Sequence, residues 1–359
     1  MGLASAAMSG HTRRSDLSEL SMTWRASFLF VVGLSLALGA PCSALAWGAS
    51  GHRMIGQAAM QSLPSSVPGF LRTARAVAEV GELSRELDRS KGAGRVHDQN
   101  LDPSHFLDVA DDGTVLGGPK LSALPATRAD YEKALQAAGT DGWKAGWLPY
   151  SIIEEHQQLA KDLAYWRVLT FVEKQERSKS RRAWLTADRI RREALVFETV
   201  GRLSHYVGDG SQPLHVTLHY NGWGDFPNPK AYTTARIHGP VEGEFVFANV
   251  GLGAVRAAVP VADPVRGLLD QRVIAYLTKT SQQVEPLYEL EKQGGFLERD
   301  ARGIAFVTRQ LGVGAGELRD LIVEAWGASG RQNVGWPAVS VSDVEAGKVD
   351  PYFALYGKD

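Results

Sequence analysis

The segment HYVGDGSQPLH, residues 205–215, holds two histidines and an aspartate. Asp209 stands four residues after His205, and on a helix side chains four apart share a face. Gly210 and Pro213 then turn the chain, which can return His215 to the same cavity. HGPVEGE repeats the four-residue spacing with His238 and Glu242. Upstream, SHFLD supplies His105, and WGASGH supplies Trp47 and His52. Zinc accepts nitrogen and oxygen ligands, and a set of imidazoles and carboxylates can hold several ions. A bound divalent ion polarises a phosphoryl oxygen and makes hydroxide from water near neutral pH. Paired ions stabilise the attacking and leaving oxygens together. The other histidines read differently. His156 lies on an apolar stripe as a core histidine, His219 reads as structural, and His97 beside Asp98 reads as a loop contact.

These residues need helices to position them. Residues 148–174 carry Ile152, Leu159 and Leu163 on one stripe, with Pro149 near the start. Residues 185–209 carry Val196, Val200, Leu203 and Val207, spaced four, three and four. Residues 316–326 and 263–292 also read as helices. Strand alternation is scarce, and the loops 110–119 and 219–232 are rich in glycine and proline. The expectation is one all-α domain over 47–330 and a loose tail over 331–359. The arginine-rich run 181–193 reads as a solvated helix face.

The chain has 359 residues and a net charge of −1, so no bulk basic field recruits nucleic acid or an anionic membrane. Residues 26–40, ASFLFVVGLSLALGA, follow Arg25 and precede SALA. This is the pattern of a signal peptide, and the run is short for a membrane span. Residues 1–46 are therefore expected to be removed, leaving an exported protein, periplasmic or secreted, that begins at Trp47. The one cysteine, Cys42, falls inside that leader. The mature chain has neither disulfides nor thiolate ligands, which leaves metal as the available staple.

Taken in order, WGxxGH, SHFLD, HxxxDxxQPLH and HxxxE resemble the zinc-dependent, single-strand-specific nucleases of the S-one/P-one type. These share an all-helical fold with bacterial zinc-dependent phospholipase C. The motifs cover Trp47 to roughly residue 245; the remainder is similar only in helical character. The resemblance implies a trinuclear zinc cleft. One Zn²⁺ would take His105, His205, Asp209 and an upstream aspartate. A second would take the Trp47 terminal amine and carbonyl, His52 and the bridging Asp209. The third would take His215, His238 and Glu242. The upstream aspartate lies in a WADxxR-like segment in the nucleases, which this chain lacks. Asp88 in RELDRSKG is the preferred candidate, with Asp98 and Asp102 as rivals, and it would also help to activate the attacking water. Three zinc ions against Asp88, Asp209 and Glu242 give a local charge of about +3, an anion trap built from metal.

The same resemblance frames the substrate. Phe106 and Asp108 match a nuclease HFxD, in which the aromatic stacks a base and the acid reads its edge; stacking is worth ~1–3 kcal/mol per base. The short Trp47–His52 gap and the long His215–His238 gap also favour a nuclease. Glu242 favours the phospholipase, since the nucleases usually carry Asp there. Trp223 and Phe226 could stack bases, cage a choline cation or cap the core. The expected activity is endonucleolytic cleavage of single-stranded DNA or RNA by in-line attack of a zinc-activated hydroxide. Products would carry 5′-phosphates, and 3′-nucleotidase activity is implied for nucleotides. The alternatives are a phospholipase C acting on phosphatidylcholine-like lipids and a non-catalytic zinc-binding protein. No protein partner is implied.

Overall fold

The computed structural model describes residues 47–263 and 267–357. Among these the protein is mostly helical, so the all-α reading holds. The expected leader lies outside the described residues. Among the described residues no helix is long and apolar enough to cross a membrane.

Two long helices, Leu148–Gln175 and Lys179–Ser211, pack against each other as a hairpin across a short turn. Pro149 sits at the start of the first, where its missing N–H costs no helical bond. The Ser178 hydroxyl caps the second by accepting from the Arg181 N–H. Ile152, Leu159 and Leu163 are fully buried on one helix, as are Val196, Val200, Leu203 and Val207 on the other. Helices Gly48–Gln61, Ala74–Leu83 and Ala301–Ser329 pack around this pair.

Four expectations need correction. The second long helix begins at Lys179 and runs through Gly210 to Ser211, so Gly210 does not end it. Among the described residues of the 263–292 stretch there are two helices, Leu269–Ser281 and Val284–Lys292. Pro286 has no N–H to bond the residue 282 carbonyl, so one continuous helix is excluded there. The Ala301–Ser329 helix begins well before residue 316. Its glycines serve close packing: a Cβ at Gly312 would lie 2.6 Å from the Ala258 carbonyl oxygen. Finally, the segment after 330 is not loose. Asn333–Val334 and Val339–Ser340 form an antiparallel hairpin, and helices Val341–Glu345 and Tyr352–Tyr356 follow. Val334, Val341 and Val344 bury themselves against Ala164 and Val168 of the first long helix. The arginine run is largely matched by acids, including Arg181 with Asp350 and Arg192 with Asp162. Arg192 and Arg189 tie the run to the neighbouring long helix.

Candidate metal centre

The carboxyl-terminal end of the Lys179–Ser211 helix carries His205 and Asp209, both fully buried. Their i,i+4 spacing brings His205 Nε2 to 3.4 Å from Asp209 Oδ2. The Gly48–Gln61 helix lays His52 alongside, its ring stacked on that of His205 at 4.0 Å. His52 Nε2 stands 3.4 Å from Asp209 Oδ1. His105, at the end of the short Asp102–His105 turn, places Nδ1 3.0 Å from Asp209 Oδ2 and 2.9 Å from His205 Nε2. Asp88, on the one-turn helix Glu86–Arg89, faces both His52 Nε2 and His205 Nε2 at 3.9 Å.

A second group adjoins the first. Helical backbone carries His238 and Glu242 four apart, the latter within a π-helical turn, Pro240–Phe245. His238 Nε2 lies 2.9 Å from Glu242 Oε2, and His215 Nε2 lies 3.7 Å from the same oxygen. Gln212, at the turn that brings His215 back, reaches Glu242 Oε2 at 3.5 Å. The Trp47 indole is fully buried and donates to Ser211 Oγ at 2.8 Å. A Cβ at Gly48 would sit 3.3 Å from the Glu242 carbonyl oxygen, so the start of that helix abuts the Glu242 turn.

Three sets of side chains could each hold a metal ion: His52, His205 and Asp209; Asp88, His105 and His205; His215, His238 and Glu242. The first differs from the implied pairings, because His52 stands with His205; the second holds three of the four side chains implied for one ion, and the third holds the implied three. Asp98 is turned elsewhere, accepting from the Gly92 N–H and contacting His97, which lies on the Arg95–Leu101 helix and not in a loop. Asp102 joins none of the three sets.

The donor chemistry fits metal. His52 Nε2, Asp209 Oδ1, His215 Nε2, His238 Nε2 and Glu242 Oε1 are buried without a hydrogen-bond partner. Buried polar atoms are rarely left so, and cations would satisfy them. Zinc bonds of about 2.0–2.1 Å in tetrahedral array put neighbouring ligand atoms roughly 3.3–3.4 Å apart, close to the separations above. Outer contacts set the imidazoles: His205 Nδ1 donates to the Ser84 carbonyl at 2.8 Å, and His215 Nδ1 to the His105 carbonyl at 2.6 Å. Each leaves Nε2 with its lone pair toward the cluster.

Protonation states follow from burial and charge. Burial drives His205 down to about 3, helped by the charges of His52 and His105. Burial also lowers His238 to about 4, with Lys91 pushing the same way. For His52 burial pulls downward, but the hydrogen bond and charge of Asp209, together with the charges of Asp88 and Glu242, raise the group. Burial would raise Asp88, yet His205 and Lys91 hold it at about 2. Asp209 lies well below the usual aspartate value, burial being overcome by His205 and His105. Burial pushes Glu242 up to about 7.

Phe106 and Asp108 follow His105 on the same strand of chain and are half-buried. The Asp108 N–H bonds the Ala145 carbonyl at 2.9 Å. Burial raises its carboxyl to about 8, so near neutrality it can donate a hydrogen bond. His156 is buried with its ring against Glu324. His219 is held by the Trp223 carbonyl and Asp111, and stacks on Trp223 at 3.8 Å. Trp223 is buried against Tyr232 and Tyr288, whereas Phe226 is exposed.

Sequence reasoning missed Lys91, whose Nζ lies 2.6 Å from Asp88 Oδ1. Its three-residue spacing from Asp88 was the available signal. The Ser84 carbonyl and the contact glycines had none. No family model matches the chain, and no curated protein and no solved structure matches it.

Proposed function

We propose that the protein is an exported zinc-dependent phosphodiesterase of the S-one/P-one nuclease type, cutting single-stranded polynucleotides to 5′-phosphate products. The observation that carries this reading is the adjoining pair of buried imidazole–carboxylate groups, in which His52 Nε2, Asp209 Oδ1, His215 Nε2, His238 Nε2 and Glu242 Oε1 lack hydrogen-bond partners. Asp88, His105, His205, His52 and Asp209 would hold two ions, with the Trp47 main chain completing one of them. His215, His238 and Glu242 would hold the third. Zinc bound there would supply Lewis-acid stabilisation of the phosphoryl oxygens and lower the pKa of water.

The chain's own groups would do the rest. Asp88, ionised at neutral pH, orients a water by accepting its proton in a hydrogen bond. Lys91 fixes the Asp88 carboxylate from one side and brings a cation to the place a phosphate would occupy. Phe106 offers a face for a base, and the protonated Asp108 carboxyl can both donate to and accept from a base edge. The Trp47 amine becomes free only when the leader is cut after Ala46, so an uncleaved leader is expected to cripple the site.

Glu242 is the feature that favours a phospholipid substrate instead. The deciding experiment takes protein beginning at Trp47, loaded with zinc, and assays it on single-stranded DNA and RNA and on phosphatidylcholine. Polynucleotide cleavage without diacylglycerol release is the expected result. Diacylglycerol release alone would overturn the nuclease reading, and no turnover on any ester would leave a zinc-binding protein.

A further inference from the structure

The segment after residue 330 packs its valines inward and turns aromatic rings outward. Trp336, at the turn of the 333–340 hairpin, is 84% exposed, and Phe353 and Tyr356 on the last helix are 59% and 56% exposed. These rings stand on fixed backbone. The Trp336 N–H donates to the Ala354 carbonyl at 2.8 Å, and the Gly335 N–H donates to Tyr165 OH at 3.0 Å. Arg181 lies over the Tyr352 ring at 3.9 Å and pairs with Asp350 at 2.6 Å, which ties the last helix to the start of the Lys179–Ser211 helix. Trp184 meets Tyr352 and Tyr356 edge-on. Contiguous exposed aromatic area of this kind marks an interaction surface.

The adjoining turn sets the charge of the partner. Residues 174–182, KQERSKSRR, carry five cations and one carboxylate in a chain whose net charge is −1. Lys174, Arg177 and Lys179 are exposed and form no ion pair among the described residues. A single-stranded polynucleotide is anionic, but it binds by laying its bases on open ring faces. The Tyr352 and Tyr356 rings instead stack on each other, centroids 5.4 Å apart and 12° from parallel, and Arg181 lies over the first. A bilayer interface takes aromatic area whichever way the rings face, while Lys and Arg beside them reach the lipid phosphates.

We propose that this end of the helical hairpin, with Trp336, Phe353 and Tyr356 as anchors and the 174–182 turn as a basic rim, docks the protein on an anionic lipid bilayer. Trp184 and Asp209 stand near opposite ends of the Lys179–Ser211 helix, about 38 Å apart along its axis. A lipid held at this surface is therefore out of reach of the metal-ligand cluster, and it serves as a support and not as a substrate.

The test takes zinc-loaded protein beginning at Trp47 and sediments it with vesicles of phosphatidylcholine alone, or of phosphatidylcholine and phosphatidylglycerol in equal parts. Wild type is expected to partition onto the mixed vesicles about 10-fold better, or more, than a variant carrying Trp336→Ala and Phe353→Ala. Circular dichroism and thermal midpoint should stay unchanged in that variant. Arg177→Gln with Lys179→Gln keeps the rings and should lower partition onto the mixed vesicles about 5-fold per charge removed, with no effect on phosphatidylcholine alone. Wild type that stays in the supernatant would overturn the proposal, as would a ring variant that sediments like wild type. Loss of self-association or of single-stranded DNA binding in the ring variant, with vesicle binding unchanged, would overturn it too and give the surface to a second copy or to a polynucleotide.

Discussion

A methyl group added at Gly208 would lie 2.9 Å from His52 Nδ1. Gly208 is therefore what allows the first helix to press its histidine onto the helix bearing His205 and Asp209. Gly208→Ala should tilt the His52 ring off its stack, reduce bound metal and destabilise the fold by about 1–3 kcal/mol, the usual scale of overpacking. Elemental analysis and thermal unfolding would check both effects; unchanged metal content would mean that His52 is no ligand. Asp88→Asn keeps the shape but removes the charge that faces His52, His205 and Lys91. It is expected to lower turnover by at least ~100-fold, the lower range for a positioned acid or base, while circular dichroism stays unchanged. A fully active variant would sink the assignment. The sequence made the histidines and carboxylates legible because side-chain chemistry and four-residue spacing survive in one dimension. It could not reveal Gly208 or the Ser84 carbonyl, whose roles depend on what lies across from them.

Long helices with even apolar stripes were legible for the same reason. Val196, Val200, Leu203 and Val207 follow the helical period and are all fully buried. The Ala301–Ser329 helix was only half legible, because Gly312, Gly314 and Gly316 look like breakers until Ala258, Ser211 and Pro260 are seen pressed against them. That helix also carries Glu324, which meets the buried His156 of the Leu148–Gln175 helix. Burial alone would raise the Glu324 carboxyl, but the hydrogen bond and charge of His156, aided by Arg331, hold it below its usual value of 4.5. A carboxyl depressed in the folded state stabilises the fold above its unfolded pKa, and that contribution fades as pH falls through the folded value. Glu324→Gln should therefore cost about 1 kcal/mol near pH 7, and the gap to wild type should close below about pH 4.5. Denaturant titrations at the two pH values would measure it; a gap that widened in acid would refute the pairing.

At the scale of the whole molecule, the interior holds carboxylates and imidazoles where a helical protein of this size would normally hold apolar side chains. Asp209, Glu242, His52 and His205 are fully buried and lie close together. Such a cluster opposes folding through desolvation unless something offsets it. The described chain has no disulfide to help, since its one cysteine, Cys42, falls outside the described residues. If metal ions bind the folded state and not the unfolded one, free metal a thousandfold above Kd stabilises by ~4 kcal/mol per site. On a chain of roughly 310 residues, at about 2.1 cal/mol/K of unfolding entropy each, that corresponds to a thermal midpoint about 6 °C higher per site. Removing metal with a chelator should lower the midpoint by at least that amount, and restoring zinc should recover it. Coincident unfolding curves with and without chelator, in protein shown to start at Trp47, would mean that the fold carries its buried charges without ions, and the metal-centre reading would fall with that result.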